Sequence, residues 1–492
     1  MKPNLLLIAL LLSTTVVFAQ ENLVKNIAAT NPPDVALAPL RYLASDELKG
    51  RGFDRPEINI AAQYIGDQFK QFGVKTVEGA NGYFQPFTLK MLTPGTGGQV
   101  TIGNMTFKPG DDALQQHAGD VNLNAPLIYA GHIIPADVAT MDVKGKIVMV
   151  DMGKGENASA GQDFMQIGTL AEQLSAKGAL GLVEKLNGKA DLWGQIKAYL
   201  MGARPEDPGQ TNNLPVVILN NTAALQTAAV KDFTANCTIS ISGTITKDIK
   251  LKNVMGYVRG TDPKLRDEYI LLSSHYDHLG VAKVPQMEEG KLDSIYNGAR
   301  DNATGTAAVI DAARYFAKYP PKRSVLFITY TAEEEGLIGS EYYAVHPLVP
   351  LSKTVYNLNI DNASYNDTTL ITLVGLGRTT ADSSIIKACK TYGMHVNNDP
   401  LGGSLFAESD NYPLAVKGVP APTYSLGMKT FDATITNRYH RLSDETGNMD
   451  MAYVMKFIKA YILAAKYIAD DPEQPRWTKN DPLEKEWVKL YK

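Results

Sequence analysis

Ser324-Val325-Leu326-Phe327-Ile328-Thr329-Tyr330-Thr331-Ala332-Glu333-Glu334-Glu335-Gly336 is an apolar run that ends in a loop of three consecutive acids. A run with so little polar alternation reads as a strand buried on both faces. Glu333 and Glu334 therefore stand just past a strand end. The arrangement recurs on either side. Glu268–Ser273 leads into Ser274-His275-Tyr276-Asp277-His278, and Thr354–Ile360 leads into Asp361. Leu370–Val374 and Ala421–Tyr424 read as further strands, and Ala303–Ala317, Ser383–Thr391 and Met451–Ala469 as helices. Apolar strands alternating with helices predict an α/β fold, with a mostly parallel central sheet flanked by helices. Ligands of such sheets bind beyond the carboxyl ends of the strands, where three separate segments here put a histidine or an acid.

The bulk properties narrow the field. A chain of 492 residues is long for one small domain, so two or three folded units are expected. A formal net charge of -4, with no basic stripe, argues against a nucleic-acid partner. Residues 1–19 read as an export signal: Lys2 gives the positive start, Leu5 to Leu12 the apolar stretch, and Val17-Phe18-Ala19 the small-residue exit. The alternative is a buried N-terminal helix. On the export reading the mature protein begins near Gln20 and is periplasmic or secreted. No later segment has the apolar length to span a bilayer. Cys237 and Cys389 have neither metal-knuckle nor redox spacing. Cys389 reads as a small buried hydrophobe, and a disulfide is not expected because the two fall in different domains.

Pro39 to Phe72 reads as helical, closed by Gly73. From about Leu92 the texture changes to turns and short strands: Gln99–Ile102, Ala125–Tyr129, Lys146–Val150, Gly178–Val183 and Leu214–Leu219, with a helix-like stretch at Phe164–Ala176. This predicts a β-rich insert over 96–247, interrupting an α/β domain made of 20–95 and 248–492.

The acids and imidazoles permit metal chemistry. His275 is a candidate ligand and Asp277 a candidate orienter of its ring, while His278 need only line the site. Asp301 opens a helix, where Asp is a preferred N-cap; beside the strand ends its two oxygens also suit a bridge between two cations. Glu333 and Glu334, consecutive in an irregular loop, point to different neighbours, so one can bind metal while the other carries a proton. The alternative is a solvated acidic turn. Asp361 would be costly at a strand end without a partner. His440 has Asp444 nearby to orient it. Taken singly each residue has a structural reading. Taken together, His275, Asp301, Glu334, Asp361 and His440 at one sheet edge predict a metal site.

The motifs Ser-His-Tyr-Asp-His-Leu-Gly (274–280), Asn-Gly-Ala-Arg-Asp-Asn-Ala-Thr-Gly (297–305), Ala-Glu-Glu-Glu-Gly-Leu-Ile-Gly-Ser (332–340), Asn-Ile-Asp (359–361), Ser-Asp-Asn-Tyr-Pro (409–413) and Tyr-His-Arg-Leu-Ser-Asp (439–444) resemble the co-catalytic di-zinc aminopeptidase family. Its clan also holds glutamate carboxypeptidase, transferrin receptor and glutaminyl cyclase. The resemblance covers about 253 to 470, and Tyr42–Gly52 resembles the family's opening region. Leu127–Gly131 with Asp142–Val148 looks like a protease-associated domain. The resemblance implies two zinc ions per chain, with Asp301 bridging. His275 and Asp361 would complete one ion's ligands, and Glu334 and His440 the other's. Glu333 would be the general base, with Asp277 behind His275. It also implies peptide substrates, hydrolysed from the N-terminus. Two positions depart from the pattern. Arg300 replaces an acid before the bridging aspartate. Phe406 falls where some relatives place an oxyanion-stabilising tyrosine, leaving Tyr412 or Tyr424 as substitutes. The same resemblance keeps two alternatives, a mono-zinc cyclase and a non-catalytic receptor-like ectodomain.

Overall fold

A computed structural model of the chain describes residues 20–152, 160–187, 190–206, 214–220, 234–288 and 290–492. The expected export signal, 1–19, lies outside the described residues. The chain divides into two compact units: the described residues up to Phe87 together with Leu251–Lys492, and Thr88–Lys250. Composition had suggested edges near 96 and 247.

The larger unit is built on a mixed sheet flanked by helices. Its strands lie in the order His395–Asn397, Leu370–Val374, Thr423–Leu426, Thr354–Ile360, Tyr269–His275, Ser324–Tyr330 and Ile245–Val258. Tyr269–His275 is central and parallel to both neighbours, with His275 opposite Tyr330 and Ser274 opposite Ile360. Those registers bring three strand ends to one edge. Thr423–Leu426 continues in parallel from Thr354–Ile360. Its pairing with Leu370–Val374 is antiparallel, as is that of Val254–Val258 with Ser324–Tyr330.

The physical basis is burial on both faces. Every residue of Ser324–Tyr330 and of Thr354–Ile360 is buried. Each large apolar side chain so buried contributes about 1.5–3 kcal/mol, which holds the register against the acids gathered at the strand ends. Gly305–Lys318 and Met451–Asp470 supply helical partners to this core. Asp450 caps the second, accepting from the amides of Ala452 and Tyr453 at 3.0 Å.

Pro39 to Phe72 is not one helix. Helices at Pro33–Leu43 and Glu57–Phe72 are separated by a tighter turn at Asp46–Arg51. Lys49, Gly50 and Arg51 all have positive φ there, which no right-handed helix accommodates. At Gly50 a Cβ would meet the Gly280 carbonyl oxygen at 2.3 Å, so the close approach itself requires glycine. The second helix ends at Gly73 in the left-handed conformation, as expected.

The smaller unit contains a sheet in which Val121–Gly131, Ile147–Met152, Gly181–Leu186 and Val216–Asn220 run parallel. Thr234–Ser242 is antiparallel to Val121–Gly131 and to Gly97–Ile102. Helices Ala160–Ala176 and Ala190–Leu200 accompany it. Cys237 in this unit and Cys389 in the larger one are both buried free thiols.

Candidate metal centre

Three strand ends and two loops deliver the acids and imidazoles to one place. His275 closes the central strand and is buried. Its Nε2 lies 3.2 Å from Asp301 Oδ1 and 3.2 Å from Asp361 Oδ1, with Glu333 Oε2 at 3.9 Å. His440 Nε2 lies 3.2 Å from Asp301 Oδ2 and 3.1 Å from Glu334 Oε2. Asp301 thus presents one oxygen to each of two groups of donors. Potential ligand atoms of His275, Glu333 and Asp361 all fall within 4.8 Å of one another, as do those of His275, Asp301 and Glu334.

Local backbone chemistry makes the convergence possible. Asp301 sits in a distorted turn before the Gly305–Lys318 helix, with a cis bond to Asn302. Gly298 turns the chain with φ +56°, and a Cβ there would lie 2.6 Å from the His278 ring. His440 itself has φ +56°, and its ring stacks on Tyr439 with centroids 3.9 Å apart.

The electrostatics are those of crowded, buried ions. Burial works to raise the Asp301 carboxyl, but His278, His275 and His440 outweigh it and hold it well below the carboxylate range. Burial likewise opposes ionisation of Glu334, and so does Asp301. His278 and His440 nevertheless bring it down to about 2. Glu333 is pushed well above its ordinary value by burial, against the pull of His275 and with the added repulsion of Asp361, Asp410 and Glu334. Such a donor set fits divalent zinc, which takes imidazole and carboxylate ligands. Closely packed buried carboxylates need cationic neutralisation.

Several second contacts differ from the sequence expectations. Asp277 does less for the His275 ring, whose Nδ1 is 3.3 Å from the Asp277 carbonyl and 3.8 Å from its carboxylate. The Asp277 carboxylate instead accepts the amides of Glu333 at 3.2 Å and Glu334 at 3.4 Å, fastening the acidic loop. His278 does more than line the site: its Nδ1 is 2.6 Å from Glu334 Oε1. Asp444 is taken up by Arg300 rather than by His440. It accepts from the Arg300 guanidinium at 2.9 Å and from the amides of Arg300 and Asp301. Arg300 also binds Asn448, so the departure at 300 anchors the turn that carries Asp301.

Phe406 is buried against Trp477 beneath the Arg378 guanidinium. Tyr424 is buried and donates to the Phe457 carbonyl at 3.3 Å, which removes it as an oxyanion donor. Tyr439, not Tyr412, joins Asp361 in lining an adjacent pocket with Thr423, Ser425, Met428 and Phe431. Its place immediately before His440 was the available signal.

Residues 253–465 match the model of peptidase family M28. Over 336 residues the chain is 24% identical to aminopeptidase YwaD of Bacillus subtilis (strain 168), covering 66% of this chain and 64% of that protein. Over 223 residues it is 24% identical to the vacuolar membrane protease of Vanderwaltozyma polyspora, covering 44% of this chain and 21% of that one. The chain therefore spans less than two thirds of the length of these curated relatives. An aminopeptidase from Aneurinibacillus sp. strain AM-1 shares the fold, with a TM-score of 0.57 at 20% identity over 92% of this chain and 97% of its own. Motifs, topology and family match meet on the same stretch: residues 253–465 are similar to peptidase family M28.

Proposed function

We propose that the protein is an exported zinc-dependent exopeptidase that removes N-terminal residues from peptides, using two zinc ions. The observation that carries this is Asp301, whose two carboxylate oxygens face different imidazoles at 3.2 Å each. On this reading His275 and Asp361 would hold one ion, Glu334 and His440 the other, with Asp301 shared. Bound zinc supplies Lewis-acid polarisation of the scissile carbonyl and lowers the pKa of water.

The remaining work belongs to the chain. Glu333 Oε2 is 3.9 Å from His275 Nε2, farther than the Asp301 and Asp361 oxygens are. It is left to take a proton from water and deliver it to the departing amine. Asp277 fixes the loop from which it acts. Tyr439, which lines the pocket beside Asp361, would be the donor to a developing oxyanion. The apolar wall of Met428 and Phe431 would receive the side chain of the N-terminal residue. The smaller unit would be a protease-associated insert, either limiting substrates to short peptides or serving only as a spacer.

The test is hydrolysis of matched free-amine and N-blocked peptides by protein stripped with a chelator and then titrated with zinc. We expect cleavage of the free-amine series alone, reaching its maximum at two zinc ions per chain. Full hydrolysis at one ion per chain would remove the two-zinc mechanism. Release of ammonia from N-terminal glutamine without peptide cleavage would favour the mono-zinc cyclase chemistry, and cleavage of blocked peptides would remove the aminopeptidase assignment.

A further inference from the structure

Arg51 is fully buried, on a turn far from the metal motifs in sequence. Its guanidinium spends its donors on main-chain carbonyls. Nε donates to Tyr276 at 2.8 Å, Nη1 to Asn297 at 2.6 Å and to Leu43, and Nη2 to Gly298 at 3.0 Å. Tyr276 lies between His275 and Asp277, and Gly298 precedes Asp301 by one turn. One planar fork therefore ties together the two segments that present His275 and Asp301.

The neighbouring backbone repeats the pattern. The His278 amide donates to the Arg51 carbonyl at 3.2 Å, and the Gly280 amide to that of Gly50 at 3.0 Å. Asn297 donates to the Ala44 carbonyl and to Asp46. Among the described residues no carboxylate is hydrogen-bonded to Arg51. The acids that face it electrically are Asp277, Asp301, Asp444 and Glu334. A buried guanidinium without a contacting acid is costly. An apolar side chain would be the cheaper way to fill that space.

We infer that Arg51 is a positioning residue of the metal centre, a cationic fork that presets the loops of His275 and Asp301 before metal arrives. This rests on the zinc-peptidase reading above. A rigid fork loses less freedom per hydrogen bond than a lysine, so the two are not interchangeable here. Residues that orient metal ligands from behind typically govern affinity by about 10–100-fold.

The experiment measures zinc affinity by chelator competition in the full chain, comparing wild type with Arg51→Lys and Arg51→Met. We expect zinc to bind about 10–100-fold more weakly to Arg51→Lys, and more weakly still to Arg51→Met. Unchanged affinity in both, with only a lower melting temperature of the zinc-free form, would reduce Arg51 to a structural residue and overturn the inference. Hydrogen exchange on the zinc-free wild type needs no variant. Slow exchange at the His278 and Gly280 amides supports presetting, and fast exchange that slows only on adding zinc overturns it. A wild type that binds no zinc and cleaves no peptide would instead sink the parent reading.

Discussion

Both units place charged side chains at the ends of parallel strands, and they settle those charges differently. In the smaller unit Asp151 and Lys185 are register partners on neighbouring strands, their side chains 2.9 Å apart. The Tyr129 hydroxyl donates to the other Asp151 oxygen at 2.6 Å. That cluster is closed in charge: an acid is paired with a base and accepts from a hydroxyl. In the larger unit Asp301, Glu333, Glu334 and Asp361 gather around His275, His278 and His440. Among the described residues the groups in hydrogen-bond reach of these acids are imidazoles, with the Arg51 guanidinium behind them. A balanced cluster stabilises a fold, whereas an acidic one suits a bound cation.

The largest effect expected of a single substitution is on the open cluster. Glu333→Gln removes the proposed proton carrier but not the ligands assigned to zinc. Peptide hydrolysis should fall by about 10²–10⁴-fold with zinc content unchanged, measured by steady-state kinetics beside metal analysis. Wild-type turnover would take Glu333 out of the mechanism. In the closed cluster, Lys185→Met strands Asp151. Breaking a buried pair costs about 3–5 kcal/mol, toward the lower end here because Tyr129 still donates. Denaturant unfolding should show that loss, while turnover per folded molecule and zinc content stay as in the wild type. A fall in turnover would mean that the closed cluster contributes to catalysis.

The contrast also explains what could be read from sequence. Ser324–Tyr330 and Thr354–Ile360 were legible to the residue, because burial on both faces leaves an uninterrupted apolar run. His275, Glu333, Glu334 and Asp361 were legible because they stand at or just past the ends of such runs, whereas Asp301 and His440 were legible only through their motifs. Arg51 was not, since its partners are main-chain carbonyls and carbonyls have no sequence signature. The same holds for Asp277, whose partners are the amides of Glu333 and Glu334. The break between Leu43 and Glu57 had its signal in Gly50, Gly52 and Pro56, which the single-helix reading passed over. Asp444 shows the converse error: proximity to His440 in sequence suggested an orienter, while the geometry gives it to Arg300.

The smallest effect is graded, and it follows from the hydrogen bonds between the His440 imidazole and the carboxylates of Asp301 and Glu334. In the zinc-free protein burial disfavours the charged ring of His440, but hydrogen bonds to Asp301 and Glu334 outweigh it and raise it to about 10. A group raised in the folded state contributes stability that is complete below its ordinary value and is lost as pH rises through the folded one. Asp311, raised to about 8 by burial, acts in the same direction at lower pH. Glu334, held down at about 2, contributes stability that is lost only as pH falls through that value. The zinc-free protein should therefore lose stability steadily from about pH 6 to pH 10. Zinc needs neutral imidazole, so its binding tightens as protons leave. The gap in melting temperature between zinc-loaded and zinc-free protein should widen with pH, and Lys185→Met should show the same widening from a lower baseline. A gap that is constant from pH 6 to 9 would mean that the imidazoles do not exchange protons for metal, and the distinction between an open and a closed cluster would lose its physical basis.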